Sequence, residues 1–89
     1  IERRSREELD YTVFVDTEVN RAVSRMGDLA LEARIQEKMG EFKASDRAEV
    51  YHRWSNDMLR SHAVLFVRKA IAVEWQLPEF EQWLEQRRS

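Results

Sequence analysis

The chain contains no cysteine. No disulfide can brace it, no thiolate can serve as nucleophile or metal ligand, and the expected setting is a reducing, cytoplasmic one. Glycine occurs twice and proline once in 89 residues. Such sparse punctuation argues against many short strands joined by tight turns and predicts long helices. Ser45, Ser55 and Ser61 have no flanking glycine elbow, and no Gly-rich phosphate loop is present, so the familiar motifs for nucleophilic attack and phosphate binding are missing.

A dominant charge is also missing. Fifteen Lys and Arg stand against 17 Asp and Glu, for a net charge of -2. Residues 1–40 carry seven basic and nine acidic groups, and residues 41–89 carry eight of each. No segment has the basic bias that steers a protein onto nucleic acid or an anionic membrane through its long-range field. The most apolar run, AVLFVRKAIAVEW at residues 63–75, has nine Ala, Val, Leu, Ile or Phe in thirteen, with Arg68 and Lys69 at its centre. It falls well short of the ~20 apolar residues that span a bilayer, so it is expected in a core and no membrane span is predicted.

What is present describes a folding chain. A hydrophobic fraction of 43%, three Trp, four Phe and two Tyr argue against disorder, while 36% charged residues and a mean hydropathy of -0.69 call for a well-solvated exterior. A domain of this size buries only roughly 60 to 65% of the surface its unfolded form exposes, which leaves room for help from a partner. Residues 1–89 are read as a single helical domain, and with a start at Ile1 rather than Met the expectation is a fragment of a longer chain.

Ser5 and Glu8 have the spacing of a capping box, which predicts a helix start. Residues 11–15, Tyr-Thr-Val-Phe-Val between Asp10 and Asp16, form the one window where strand propensity exceeds helix propensity. From Thr17 the apolar residues Val19, Ala22 or Val23, Met26, Ala30 and Ala33 recur at helical steps. The pattern basic-Met-Gly-acidic-apolar appears at 25–29 and again at 38–42. Each glycine can end a helix, but strong helix formers continue past Gly27, and one helix from about 17 to 42 is the preferred expectation.

Lys43 to Asp46 breaks the chain, and Asp46 with Glu49 offers a second capping box for a helix over about 46–76. Val50, Tyr51, Trp54 and Met58 share one face of it, and Ser55-Asn56-Asp57 permits a bend. Leu77-Pro78 ends it and opens a last helix whose inner face carries Phe80, Trp83 and Leu84. The expected fold is all-α: a small bundle of two long helices, the first able to divide into a helix pair (about 6–42 and 46–76), and a short C-terminal helix (79–87), with 11–15 left open to strand.

No catalytic, cofactor-binding or metal-ligating residue is predicted. His52 and His62 are the only histidines, and on one helix they would stand about 15 Å apart along the axis, too far to share an ion. The acids lie among cations at helix-surface spacing, not paired in a cleft. Tyr51, Trp54, Phe66, Trp75, Phe80 and Trp83 are read as core aromatics, since base stacking would need a basic groove beside them.

The expectation is therefore a non-enzymatic protein-interaction or oligomerisation module, an accessory or regulatory domain whose partner is protein, most simply a second copy in a homodimer. The apolar window Tyr11, Val13, Phe14 and Val15, together with Phe66, Arg68 and Lys69, supplies the partner-binding residues. The alternative starts from Arg3, Arg4 and Arg6 followed by residues 11–15 and two helical stretches. This order resembles the ribbon-helix-helix family of small bacterial and phage DNA-binding dimers, which implies paired strands entering the major groove. The alternating positions here, Tyr11, Val13 and Val15 or Thr12 and Phe14, carry no Arg, Lys or amide to read bases, so nucleic acid is not favoured.

Overall fold

The computed structural model describes residues 2–88, and side chains from residue 5 to residue 88. Among them are five helices and no strand: α1 (Glu2–Met26), α2 (Asp28–Lys43), α3 (Ala48–His52), α4 (Asn56–Glu74) and α5 (Phe80–Arg88). The all-α expectation holds, and the optional strand does not form. Residues 11–15 lie inside α1 because tertiary burial outweighs their local preference. Tyr11, Phe14 and Val15 are spaced to share one helix face, and that face is half-buried against other helices. The Thr12 and Thr17 hydroxyls donate to the carbonyls of Glu8 and Val13 four residues back, at 3.0 and 2.8 Å, a bond that β-branched threonine makes readily in a helix. Ser5 sits within α1, so its capping box is not used as a helix start.

The continuous helix over 17–42 is corrected to two. Gly27 has φ 90 and ψ 155, a region essentially reserved for glycine. Its N–H still donates to the Val23 carbonyl at 3.0 Å and its carbonyl accepts from Leu31 at 3.1 Å, so one residue closes α1 and opens α2. The reason lies in the phase of the core positions. Val19 and Ala22 are buried on α1 and Ile35, Met39 and Phe42 on α2. In one straight helix the nine steps from Met26 to Ile35 would turn through about 900°, half a turn out of register, and the two sets would face opposite ways. The break at Gly27 re-aims the second set toward the same core. Gly40, in the other copy of the motif, stays within α2.

The central helix expected over 46–76 is also divided. Only Ala48–His52 is helical before the chain turns at 53–55. Ser45, not Asp46, organises the approach: its hydroxyl donates to the Phe42 carbonyl at 2.7 Å and accepts from the Arg47 N–H at 3.3 Å. Ser55 then caps α4, accepting from the Met58 N–H at 3.2 Å. At the far end of α4 the N–H of Leu77 reaches the Ala72 carbonyl and that of Gln76 the Val73 carbonyl, both at 3.0 Å. That is a Schellman closure with Gln76 in the left-handed position at φ 55. Pro78 lies just ahead of α5, whose first turn forms when Trp83 donates to the Glu79 carbonyl at 2.9 Å.

The core is built on one line of α4. Leu59, Ala63, Val67 and Ile71 recur every four residues and pack with Val19 and Ala22 of α1 and Ile35, Met39 and Phe42 of α2. Leu59 is 2% exposed and Ala63 is fully enclosed. Trp83 and Leu84 of α5 are buried at the other end, where Tyr11 and Phe14 meet Phe80 and Trp83 ring to ring at centroid separations of 5.4 to 6.0 Å. Arg60 of α4 forms a two-pronged bond to Glu32 of α2, 2.6 Å on each branch, and Arg34 pairs with Glu74. These are exposed pairs that fix how α4 lies on α2 more than they stabilise it. The molecule measures 47 × 32 × 19 Å, so its thinnest dimension accommodates about two helix layers. Among the described residues no helix is long and apolar enough to cross a membrane.

Candidate interaction surface

The same sequence that makes α4 the core helix leaves its other side uncovered. Met58, Leu65, Phe66, Lys69 and Val73 follow one another at helical spacing on the face turned away from Leu59, Ala63, Val67 and Ile71. Met58 is 55% exposed, Leu65 60% and Val73 77%, values that place whole aliphatic side chains in solvent. Lys69 lies among them, is exposed, and forms no ion pair with any described residue.

One edge of this face is built from rings. His62 is surrounded by Phe42, Trp54, Phe66 and Tyr51 at centroid distances of 5.0, 5.1, 4.9 and 6.0 Å. Phe42 in turn stacks on Tyr51 at 5.1 Å and meets Phe66 edge-on at 5.2 Å. The turn at 53–55 lets α3 pack on α2 and brings Tyr51 and Trp54 to His62, and Phe66 at the edge of the cluster stays 43% exposed. His52, on α3, faces solvent. Among the described residues no group of three His, Asp or Glu side chains is placed to hold a metal ion.

The seven residues expected to bind a partner divide four ways. Tyr11, Phe14 and Val15 turn inward: the first two pack on Phe80 and Trp83 of α5, and Val15 joins the main core. Val13 is 58% exposed on the opposite side of α1. Arg68 reaches across to α1, donating to Asn20 at 3.1 Å and Asp16 at 3.4 Å. Phe66 and Lys69 alone of the seven occupy the outer face of α4. Met58, Leu65 and Val73 were not singled out, although their spacing held the signal. Positions 58, 65 and 73 lie between about 100° and 180° around the helix from the mean direction of 59, 63, 67 and 71, so a wheel drawn over 56–74 places them on the side away from the packed stripe. Arg3 and Arg4 of the basic arm lie outside the residues whose side chains are described.

Elsewhere the surface carries little shaped chemistry. A cleft of about 520 Å³ beside the turn from α4 to α5 is lined by Tyr11, Val15, Leu77, Pro78, Glu79 and Gln82, among others. Burial pushes the Tyr11 hydroxyl above its ordinary value, and the nearby Glu79 carboxylate adds to this. The hydroxyl already donates to the Pro78 carbonyl at 2.8 Å, so it is committed to the fold. The Glu32 carboxyl is held down to about 2 by the hydrogen bonds from Arg60 and Gln36. That pair is likewise structural. No polar or charged residue is fully buried among the described residues. Comparison of the chain with protein-family models, with curated protein sequences and with solved structures finds no match.

Proposed function

We propose that this chain is a non-enzymatic protein-interaction module, an accessory or regulatory domain that presents the outer face of α4 to a protein partner. The observation that supports this is the second apolar stripe on α4, with Met58, Leu65 and Val73 each more than half exposed opposite a stripe that is fully packed. Isolated apolar residues on a surface need no explanation, but a row of them along one side of a helix, flanked by an aromatic cluster and crossed by one lysine, has the make-up of an interface core with a polar exit. The lack of cysteine favours the reducing cytoplasm as its setting.

Recognition of DNA through a strand pair is not proposed. The resemblance to ribbon-helix-helix dimers rested on residues 11–15 being extended, and they are helical.

A photoreactive amino acid placed at Leu65 tests the proposal in the cell the protein comes from, with the same group at Leu29 as control. Leu29 is 90% exposed on α2, away from the stripe. Position 65 is expected to yield a discrete protein adduct that position 29 does not. The absence of any adduct specific to position 65 would count against the role given to this face.

A further inference from the structure

Resting on the role proposed above for that face, we infer that its occupant is a second copy of this chain, joined by antiparallel packing of α4 on α4 about a two-fold axis between Leu65 and Phe66.

The first ground is area. A compact monomer of 10.7 kDa exposes about 5,500 Å², whereas this chain exposes 7095 Å². The excess is about 1,600 Å² per chain. A standard interface needs about 800 Å² from each partner, and obligate homodimers bury about 2,000 to 5,000 Å² in total. Half of the excess therefore matches a standard interface, and about two thirds of it reaches the lower bound for an obligate homodimer. The radius of gyration agrees, at 15.9 Å against about 12 Å for a compact chain of this length.

The second ground is self-complementarity, which a two-fold interface requires because the same patch must meet itself. The stripe is spaced symmetrically: Met58 lies seven residues before Leu65, and Val73 lies seven after Phe66. An antiparallel pairing centred between 65 and 66 sets Leu65 level with Phe66 of the second copy and Met58 level with Val73 of the second copy, apolar with apolar at these two levels. The remaining level brings Lys69 toward His62 of the second copy, and the long lysine stem lets its ammonium leave at the rim. The third ground is charge. A net charge of -2 with both signs mixed along the chain offers little repulsion to a second copy.

The absence of native cysteine makes the test clean, because any disulfide must come from an introduced residue. Purified chain at tens of micromolar is expected to sediment at twice the monomer mass, with a thermal midpoint that rises with concentration. On mild oxidation Leu65→Cys should convert to a covalent dimer, since its two copies lie almost level with the axis. Val73→Cys alone should not, because its two copies would stand about 22 Å apart along the helices, far beyond disulfide reach. A mixture of Met58→Cys and Val73→Cys chains should cross-link to one another, and Leu29→Cys should run as an uncross-linked single chain on a non-reducing denaturing gel. A monomeric wild type at these concentrations overturns the inference, as does cross-linking at 29 equal to that at 65 or at 73 alone in preference to 65. If the wild type is monomeric and the photoreactive group at 65 captures a different protein, the second copy is excluded while the interaction role stands; if it captures nothing, both fall.

Discussion

The Tyr11 hydroxyl donates to the Pro78 carbonyl at 2.8 Å, tying two residues 67 apart in sequence. The bond joins the middle of α1 to the link between α4 and α5 and satisfies a carbonyl that lies outside either helix. Tyr11→Phe keeps the ring against Phe80 and Trp83 and deletes only the donor, so a loss of about 1 kcal/mol is expected in urea denaturation at neutral pH. The pH dependence has a defined sign. Burial and Glu79 raise the folded-state value above 10.0, so this contribution is complete below that pH and is lost as pH rises through the raised value. Tyr11→Phe should therefore also flatten part of the alkaline loss of stability. An unchanged urea midpoint in the variant would show that the bond contributes nothing.

The two glycines should respond to alanine in opposite directions. Neither has any atom within 4 Å of where a Cβ would stand, so crowding does not enter. At Gly27 the φ of 90 is the obstacle, and Gly27→Ala is expected to cost about 1 to 3 kcal/mol in backbone strain. Gly40 is within α2 with ordinary helical backbone, and Gly40→Ala should stabilise by about 0.5 to 1 kcal/mol through helix propensity. Thermal midpoints of the two variants moving the same way would contradict this account of the break.

How much of this was legible in the sequence follows from which forces are local. The all-α class, the end of α4 before Pro78 and the inward Trp83 and Leu84 follow from punctuation and periodicity, and they are found as expected. Residues 11–15 were ambiguous because their β-branched and aromatic side chains favour strand in isolation, and only packing on α5 decides for helix. The break at Gly27 looked unlikely by propensity, yet the half-turn shift between Met26 and Ile35 was already in the spacing of apolar residues. In the candidate surface, the stretch 63–75 supplies core residues as expected, Ala63, Val67 and Ile71, and also exposed ones, Leu65, Phe66 and Val73. Which of its residues lie outside is a question of phase, and the tally of apolar residues blurred two opposite stripes into one.

The pairing of Arg60 with Glu32 makes a prediction about acid. Hydrogen bonds from Arg60 and then Gln36 lower the Glu32 carboxyl from 4.5 to about 2. A depressed folded-state value means the stabilisation is present above the unfolded value and is lost as pH falls from there through about 2. Glu32→Gln should reduce the slope of stability against pH in that window and leave the slope near neutrality alone. Because both side chains are substantially exposed, raised salt should shrink the effect in the wild type. Identical acid titrations of stability for wild type and variant would refute it.

Gln76 holds a position that glycine fills more easily. Its φ of 55 closes the Schellman motif at the end of α4, with both characteristic bonds at 3.0 Å. A residue with a Cβ is strained there, and Gln76→Gly should remove that strain at the expense of a more flexible unfolded chain, for a net gain of about 0.5 to 1 kcal/mol. Gln76→Val, branched at Cβ, should instead destabilise, because such residues tolerate the left-handed region least. Ranking the three by thermal midpoint checks the assignment, and a valine variant as stable as the glycine one would dismiss it.

Leu59 and Leu65 are six residues apart on one helix and chemically identical, so truncating each isolates what its surroundings contribute. Leu59 is 2% exposed within the core, and Leu59→Ala should cost about 2 to 5 kcal/mol, the sum of lost burial and an unfilled cavity. Leu65 is 60% exposed, and in a single chain its truncation should change stability by less than about 0.5 kcal/mol. If the outer face of α4 is covered by a second copy, Leu65 is buried in the assembly, and its truncation acquires a cost that depends on protein concentration. Unfolding of both variants across a hundredfold range of concentration separates the contributions. The deficit of Leu59→Ala should persist at every concentration, whereas that of Leu65→Ala should vanish on dilution as the dimer dissociates, because only the assembly gives Leu65 anything to lose.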